Sequence, residues 1–256
     1  MNANTPWPYP FWIAHRGAGK LAPENTLAAF RLGASHGYRM FECDAKLSAD
    51  GVPFLLHDDT LERTTDGHGT AGDQPWAALA QLDAGGWHSR AYAGEPLPTL
   101  SNVARYCLAN QFCLNIEIKP TPGQERLTGR VVAEHAARLW QGQAVQPLLS
   151  SFSTESLTGA RDTGPQLARG LLLDQWRSSC LDEARALGCM ALLCHYTLWD
   201  AARVARAKTV GLRTLSYTVN DEADVQRLMA LGTDGLITDR VDRFSPAAAT
   251  TGIAPR

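Results

Sequence analysis

The stretch FECDAKLSADGVPFLLHDD, Phe41 to Asp59, sets Glu42 and Asp44 two residues apart and ends on His57-Asp58-Asp59. Asp50-Gly51 supplies a tight turn between apolar runs, so the stretch reads as strand, turn, strand. Side chains two apart on a strand share a face, so Glu42 and Asp44 point to one place. Glu117 and Lys119 repeat that spacing in CLNIEIK, and His15-Arg16-Gly17 closes an earlier apolar run, FWIAHRG. Carboxylates meeting at ~4 Å, at an effective dielectric of ~20, repel by about 4 kcal/mol per pair. Such a meeting needs a compensating cation or raised pKa values. Carboxylate oxygens without Cys or paired His ligands suit a hard ion, Mg²⁺ or Ca²⁺. Glu42, Asp44 and Glu117 are therefore candidate ligands of one divalent cation. The alternative is a salt-bridge cluster with Arg16, Lys46 or Lys119.

His15 and His57 stand at neighbouring strand ends beside these carboxylates, and imidazole serves as both acid and base near neutral pH. Arg16 and Lys119 bring positive charge to the same place. A metal, a guanidinium and an ammonium together make a phosphate-binding constellation, although both cations would also neutralise the carboxylates. His36, His68, His88 and His135 fall on helices or in a long loop, where solvent or capping roles suffice, and His195 at a strand end stays unassigned.

The elements that must hold these residues alternate along the chain. Eight short apolar runs read as strands: Phe11 to Gly17, Met40 to Leu47, Cys113 to Lys119, Pro147 to Phe152, Leu167 to Asp174, Cys189 to His195, Leu212 to Val219 and Asp234 to Asp239. Helical patterns follow most of them, the first from about Asn25 to His36, and Gly188, Gly211 and Gly232 sit where C-terminal glycines stop helices. Count and order favour a (β/α)8 TIM barrel, with an open doubly wound sheet or two smaller domains as the other arrangements. Active sites of such barrels sit at the C-terminal strand ends, where the polar residues above fall. An insertion at about 58–98 breaks the alternation. Its Trp76, Trp87 and Tyr92 are candidates to roof the mouth or stiffen its cover.

The chain has 256 residues, 45% hydrophobic and 20% charged, which is enough to bury one large core. A formal net charge of −2 without long like-charge runs argues against nucleic acid or stable membrane association, so an anionic substrate must be held by local charges. No apolar run reaches the length of a spanning helix, and the first residues lack a basic-then-apolar leader pattern. Six cysteines without CxxC spacing read as buried thiols of a cytoplasmic protein. The expected organisation is a single domain over 1–245 with a flexible tail over 246–256.

His15-Arg16-Gly17, Pro23-Glu24-Asn25-Thr26, Glu42-x-Asp44, His57-Asp58 and Glu117-x-Lys119, in this order, resemble the glycerophosphodiester phosphodiesterase family. Ser151-Phe152, Tyr217-Thr218-Val219-Asn220 and Asp234-Gly235-Leu236-Ile237-Thr238-Asp239 are weaker echoes of it. The resemblance implies a (β/α)8 barrel with the family's insertion, and hydrolysis of glycerophosphodiesters to glycerol 3-phosphate and an alcohol. It implies Glu42, Asp44 and Glu117 as metal ligands, His15 and His57 as the acid–base pair, and Arg16 and Lys119 as phosphate contacts. Glu24, Phe152 and Tyr217 are its further substrate-site residues. The implied mechanism is attack of the glycerol 2-hydroxyl on phosphorus, with His15 the first base and His57 the first acid. The rival activities are a barrel phospholipase acting on intact lipids and a barrel that only binds ligand.

Overall fold

The computed structural model describes residues 7–244 and 246. Nearly all of the expected tail 246–256 lies outside the described residues. Eight parallel strands close into a barrel: β1 (Trp12–Ala14), β2 (Met40–Leu47), β4 (Cys113–Ile118), β5 (Leu148–Ser151), β6 (Ala168–Leu173), β7 (Ala191–His195), β8 (Arg213–Tyr217) and β9 (Gly235–Thr238). Each pairs with the next, and β1 pairs with both β9 and β2, which completes the circle. The extra strand β3 (Pro53–Leu55) lies antiparallel on β2, with Ala45 opposite Leu55, and Gly51 turns the hairpin at φ 80°. The closed circle excludes the open sheet.

Helices α1 (Leu27–Ser35), α3 (Leu100–Ala109), α4 (Glu125–Leu139) and α5 (Thr154–Thr163) cover the first half of the barrel, and the short α2 (Trp76–Leu79) lies in the insertion. Helices α6 (Cys180–Ala186), α7 (Ala201–Thr209) and α8 (Glu222–Ala230) cover the second half. Side-chain oxygens of Thr26, Thr99, Ser153, Asp200 and Asp221 cap the starts of α1, α3, α5, α7 and α8. No helix of the described residues is long and apolar enough to cross a membrane.

Two differences from the sequence reading lie beside the candidate site. Strand β1 stops at Ala14, because Arg16 (φ 48°) and Gly17 (φ 98°) turn the chain into a left-handed conformation. Helix α1 starts at Leu27, because Asn25 is also left-handed (φ 60°) and Thr26 is the cap.

Alternation along the strands sorts the barrel into an apolar floor and a polar mouth. Ile13, Met40, Leu148, Leu193, Leu215 and Ile237 pack together inside the barrel. Two residues further along the same strands come His15, Glu42, Ser150, His195, Tyr217 and Asp239. On β2 and β4 the other face, with Cys43, Ile116 and Ile118, joins the core beneath the helices. The insertion has its own small core of Phe54, Leu56, Leu61, Ala71, Leu79, Ala84 and Leu97. Trp76 lies against Phe54 there (centroids 5.9 Å), so it stiffens the insertion. Trp87 is exposed, with its indole N–H on the Ala84 carbonyl, and Tyr92 packs against the main core.

Helix α1 touches the loop after β1 closely. A Cβ on Gly33 would meet the Gly17 carbonyl oxygen at 2.1 Å. Gly33→Ala is therefore expected to cost about 1–3 kcal/mol, the usual range for overpacking, and to reduce activity by displacing the His15–Gly17 turn. A denaturant midpoint equal to that of the parent protein would contradict this.

Candidate active site

The strand register builds the carboxylate cluster. Asp44 of β2 pairs with Glu117 of β4, and Ala14 pairs with Phe41, which brings His15 beside Glu42. Glu42, Asp44 and Glu117 each offer an oxygen to one point, with the three oxygens within 4.8 Å of one another. Glu42 and Asp44 are buried. Glu42 Oε1, Asp44 Oδ1 and Glu117 Oε1 are buried and make no hydrogen bond. A buried anionic oxygen without a partner is costly. Three of them aimed together fit a hard divalent cation held by oxygen ligands.

The second oxygens of Glu42 and Asp44 are committed. The Arg16 backbone N–H donates to Glu42 Oε2 (3.0 Å). Asn25 Nδ2 donates to Asp44 Oδ2 (2.8 Å), and the Asp44 backbone N–H donates to Asn25 Oδ1 (3.1 Å). This reciprocal pair is why Asn25 takes its left-handed turn. Arg16 Nε lies 3.2 Å from Asp44 Oδ2, and Arg16 Nη1 donates to Glu24 Oε1 (2.8 Å). The salt-bridge alternative is thus partly present: Arg16 neutralises Asp44 on one side while the other side stays open. Lys46, also on β2, pairs with Asp59 (2.7 Å).

Burial, with Asp44 and Glu117 alongside, pushes the Glu42 carboxyl well above the ordinary range. Burial and Asp44 push Glu117 up to about 7, against the pull of Lys119. Burial also acts to raise Asp44, but Arg16, then His57 and Lys119, then the Asn25 hydrogen bond hold it below its usual value.

Each histidine is oriented by a carboxylate. His15 Nδ1 lies 2.6 Å from Asp239 Oδ1, and Asp239 is fixed by Asn220, whose Nδ2 donates to Oδ2 (2.9 Å). Its other nitrogen, Nε2, faces the cluster, 3.8 Å from Glu42 Oε2. His57 stands two residues past β3, with Nδ1 2.7 Å from Asp58 Oδ1. Its Nε2 lies 3.2 Å from Lys119 Nζ, which in turn lies 3.3 Å from Glu117 Oε1. Burial lowers the His57 pKa, Arg16 and Lys119 lower it further, and Asp44 opposes them. Among known arrangements, a carboxylate on Nδ1 fixes the tautomer and leaves Nε2 for proton transfer.

A cavity of about 530 Å³ opens beside His57, between Glu117, Lys119, Glu125 and Phe152. None of Trp76, Trp87 and Tyr92 lines it, so none roofs this cavity. Phe152 is 42% exposed and meets the Tyr217 ring edge-on at 5.7 Å. The Tyr217 hydroxyl donates to the Leu173 carbonyl (2.7 Å), so its ring is what it offers to the mouth. Glu24 reaches the mouth with both oxygens taken by arginines: Oε1 by Arg16 and Arg63, Oε2 by Arg63.

All ten residues singled out from the sequence gather at one end of the barrel. Sequence reading assigned no role to Asn25, Asp58, Arg63, Asn220 or Asp239. Asn25, Asp58, Asn220 and Asp239 sit inside quoted motifs, and Asp58, directly after His57, carried the clearest signal. Arg63 lies in the insertion and had none.

The Glycerophosphoryl diester phosphodiesterase family profile matches residues 15–243. A glycerophosphodiester phosphodiesterase of Caldanaerobacter subterraneus subsp. tengcongensis is 33% identical over 236 residues, covering 89% of this chain and 93% of its own. One from Bacillus subtilis is 29% identical over 249 residues, covering 91% and 84%. The solved structure of an Oleispira antarctica phosphodiesterase in complex with the product sn-glycerol-3-phosphate superposes with a TM-score of 0.87 at 34% identity, covering 94% of this chain and 97% of that one.

The raised carboxyls have a consequence for stability. Glu42 and Glu117 have folded pKa values above their unfolded ones, so folding binds protons between the two. The repulsion is therefore absent near the unfolded value of 4.5, grows as pH rises and, for Glu117, is fully present above about 7. A divalent cation removes it. Adding Mg²⁺ or Ca²⁺ to chelated protein should raise Tm more at about pH 8 than at about pH 5.5, where Asp58 and Asp239, whose pKa values are lowered, stay charged. Equal shifts at both pH values would contradict a cation at these carboxylates.

Proposed function

The chain belongs to the glycerophosphodiester phosphodiesterase family and is a phosphoric diester hydrolase, and on that premise we propose how its barrel mouth turns glycerophosphodiesters into glycerol 3-phosphate and an alcohol. The observation that carries the reading is the set of three buried carboxylate oxygens that make no hydrogen bond, flanked by two histidines that each have a carboxylate on Nδ1. Glu42, Asp44 and Glu117 would hold one Mg²⁺ or Ca²⁺. When bound, that ion supplies Lewis acidity and a fixed positive charge for the phosphate.

Arg16 and Lys119 flank the cluster on opposite sides and bind the non-bridging phosphate oxygens. His15 Nε2 takes the proton of the glycerol 2-hydroxyl, whose oxygen attacks phosphorus. The bond to the leaving oxygen breaks, and His57 Nε2 gives that oxygen its proton. Water then opens the cyclic phosphate with the two histidines in exchanged roles, which restores both. An attacking hydroxyl already bound next to phosphorus can gain up to ~7–11 kcal/mol over a diffusing nucleophile.

The cavity beside His57 supports His57 as the first acid, since the leaving alcohol needs room on the acid's side. The lowered pKa of His57 argues for the reverse order, because a neutral imidazole is ready as a base. Geometry takes precedence over the pKa of the empty mouth. A phosphodiester anion bound at Lys119 would raise the pKa of the neighbouring imidazole. Phe152 and the Tyr217 ring form an apolar wall for the substrate. The six free cysteines suit a cytoplasmic enzyme handling a small diester, with no nucleic acid or membrane partner.

The direct test assays chelated protein on several glycerophosphodiesters, with Mg²⁺ or Ca²⁺ added back and glycerol 3-phosphate measured. Full activity in excess chelator would remove the metal from the account.

His15→Ala and His57→Ala should each lose roughly 10²–10⁴ in kcat at a nearly unchanged Tm. If His57 is the first acid, His57→Ala should recover most on a nitrophenyl ester, whose leaving group needs no proton. Equal losses on both ester types would reverse the assignment. A substrate lacking the glycerol 2-hydroxyl should bind with modest loss and turn over orders of magnitude more slowly. Comparable turnover would point to water as the first nucleophile.

A further inference from the structure

Arg63 comes from the insertion and meets two carboxylates at once. Its Nε donates to Asp58 Oδ2 (2.5 Å) and its Nη2 to Asp58 Oδ1 (3.0 Å). Its Nη1 donates to Glu24 Oε2 (2.8 Å), and the same Nη2 to Glu24 Oε1 (2.8 Å). Asp58 is the carboxylate on His57, and Glu24 is the carboxylate on Arg16. One planar guanidinium therefore joins the partner of a catalytic histidine to the partner of a phosphate-binding arginine. Two bidentate pairs fix direction as well as distance, which a lysine ammonium cannot reproduce.

We infer that Arg63 is a positioning residue of the phosphodiesterase reaction, holding His57 through Asp58 and Arg16 through Glu24. This rests on the function proposed above. Asp58 lies in a loop, directly after the histidine and three residues past the end of β3, so no strand ladder fixes its side chain. Glu24 likewise lies in the loop between β1 and α1. Neither carboxylate has a rigid element of its own, and Arg63 gives them a common one. The guanidinium also divides its charge between them. Asp58 is thereby kept ionised and available to accept from His57 Nδ1, the geometry that leaves Nε2 pointing at Lys119 and the substrate.

The arrangement also gives the insertion a function that its aromatic residues do not supply. Its small core carries no group into the cavity, but Leu61 within that core stands two residues from Arg63 and anchors the turn that presents it. The insertion thus reaches the chemistry through Asp58 at its start and through Arg63 at the rim.

The test compares Arg63→Ala, Arg63→Lys and Arg63→Gln with the parent enzyme, on glycerophosphocholine and on a nitrophenyl ester, after Tm shows each to be folded. With its acid misoriented, Arg63→Ala should lose about tenfold or more in kcat on glycerophosphocholine, a part of the ~10²–10⁴ that the acid supplies, and markedly less on the nitrophenyl ester. Arg63→Lys should recover little. Added methylguanidinium should restore part of the rate of Arg63→Ala. In the His57→Ala background the same substitution should cost only a few-fold, because the group it positions is gone. Equal losses on both esters, or a full additional loss in the His57→Ala background, would overturn the positioning role while leaving the proposed reaction standing. A parent enzyme inactive on every glycerophosphodiester would overturn both.

Discussion

Glu42, Asp44 and Glu117 bring one oxygen each within 4.8 Å at the top of a closed barrel, and the burial of Glu42 and Asp44 keeps solvent from diluting their charge. Their mutual repulsion is the constraint to which the neighbouring residues answer. Arg16 bends back through a left-handed turn so that its N–H serves Glu42 and its guanidinium lies against Asp44. Asn25 adopts a second left-handed turn to satisfy Asp44 twice. Lys119 sits beside Glu117. After all of this, one oxygen on each carboxylate still makes no hydrogen bond. A salt-bridge cluster built for stability would not leave three such oxygens facing one another. A cation site does so by necessity.

The barrel supplies rigidity where the chemistry needs it. The metal-ligand candidates stand on β2 and β4, adjacent strands whose register is locked by six residue pairs. The two histidines proposed as acid and base stand just off strand ends, where a carboxylate fixes each ring: Asp239 for His15 and Asp58 for His57. The two orienting carboxylates are held differently. Asn220, a neutral amide, holds Asp239, whereas the cationic Arg63 holds Asp58. The imidazole facing Lys119 also loses basicity to burial. The two histidines are therefore unequal before substrate arrives, which suits a reaction whose two steps exchange their roles.

Much of this was legible in the sequence because strands report their faces directly. The alternation in Glu42-x-Asp44 and Glu117-x-Lys119 already says which side chains meet inside a barrel, and the closed sheet puts them there. Hairpin β2–β3 was equally legible from Asp50-Gly51. Loop partners were harder. Glu24 was readable as a site residue but not as one whose oxygens both serve arginines, since that depends on where an insertion folds. The roof expected from Trp76, Trp87 and Tyr92 rested on residue type alone. Trp76 instead packs against Phe54 in the insertion's own core, since a large apolar ring gains more there than over a polar mouth.

The central claim, one divalent cation held by three carboxylates, is tested most directly by calorimetric titration of Mg²⁺ or Ca²⁺ into chelated protein. Wild type should be run beside Glu42→Gln, Asp44→Asn and Glu117→Gln. The account predicts about one ion per wild-type chain, with proton release, and binding at least ~10-fold weaker in each variant. Equal affinity in all four proteins, or no binding by a wild-type enzyme that remains fully active, would contradict it.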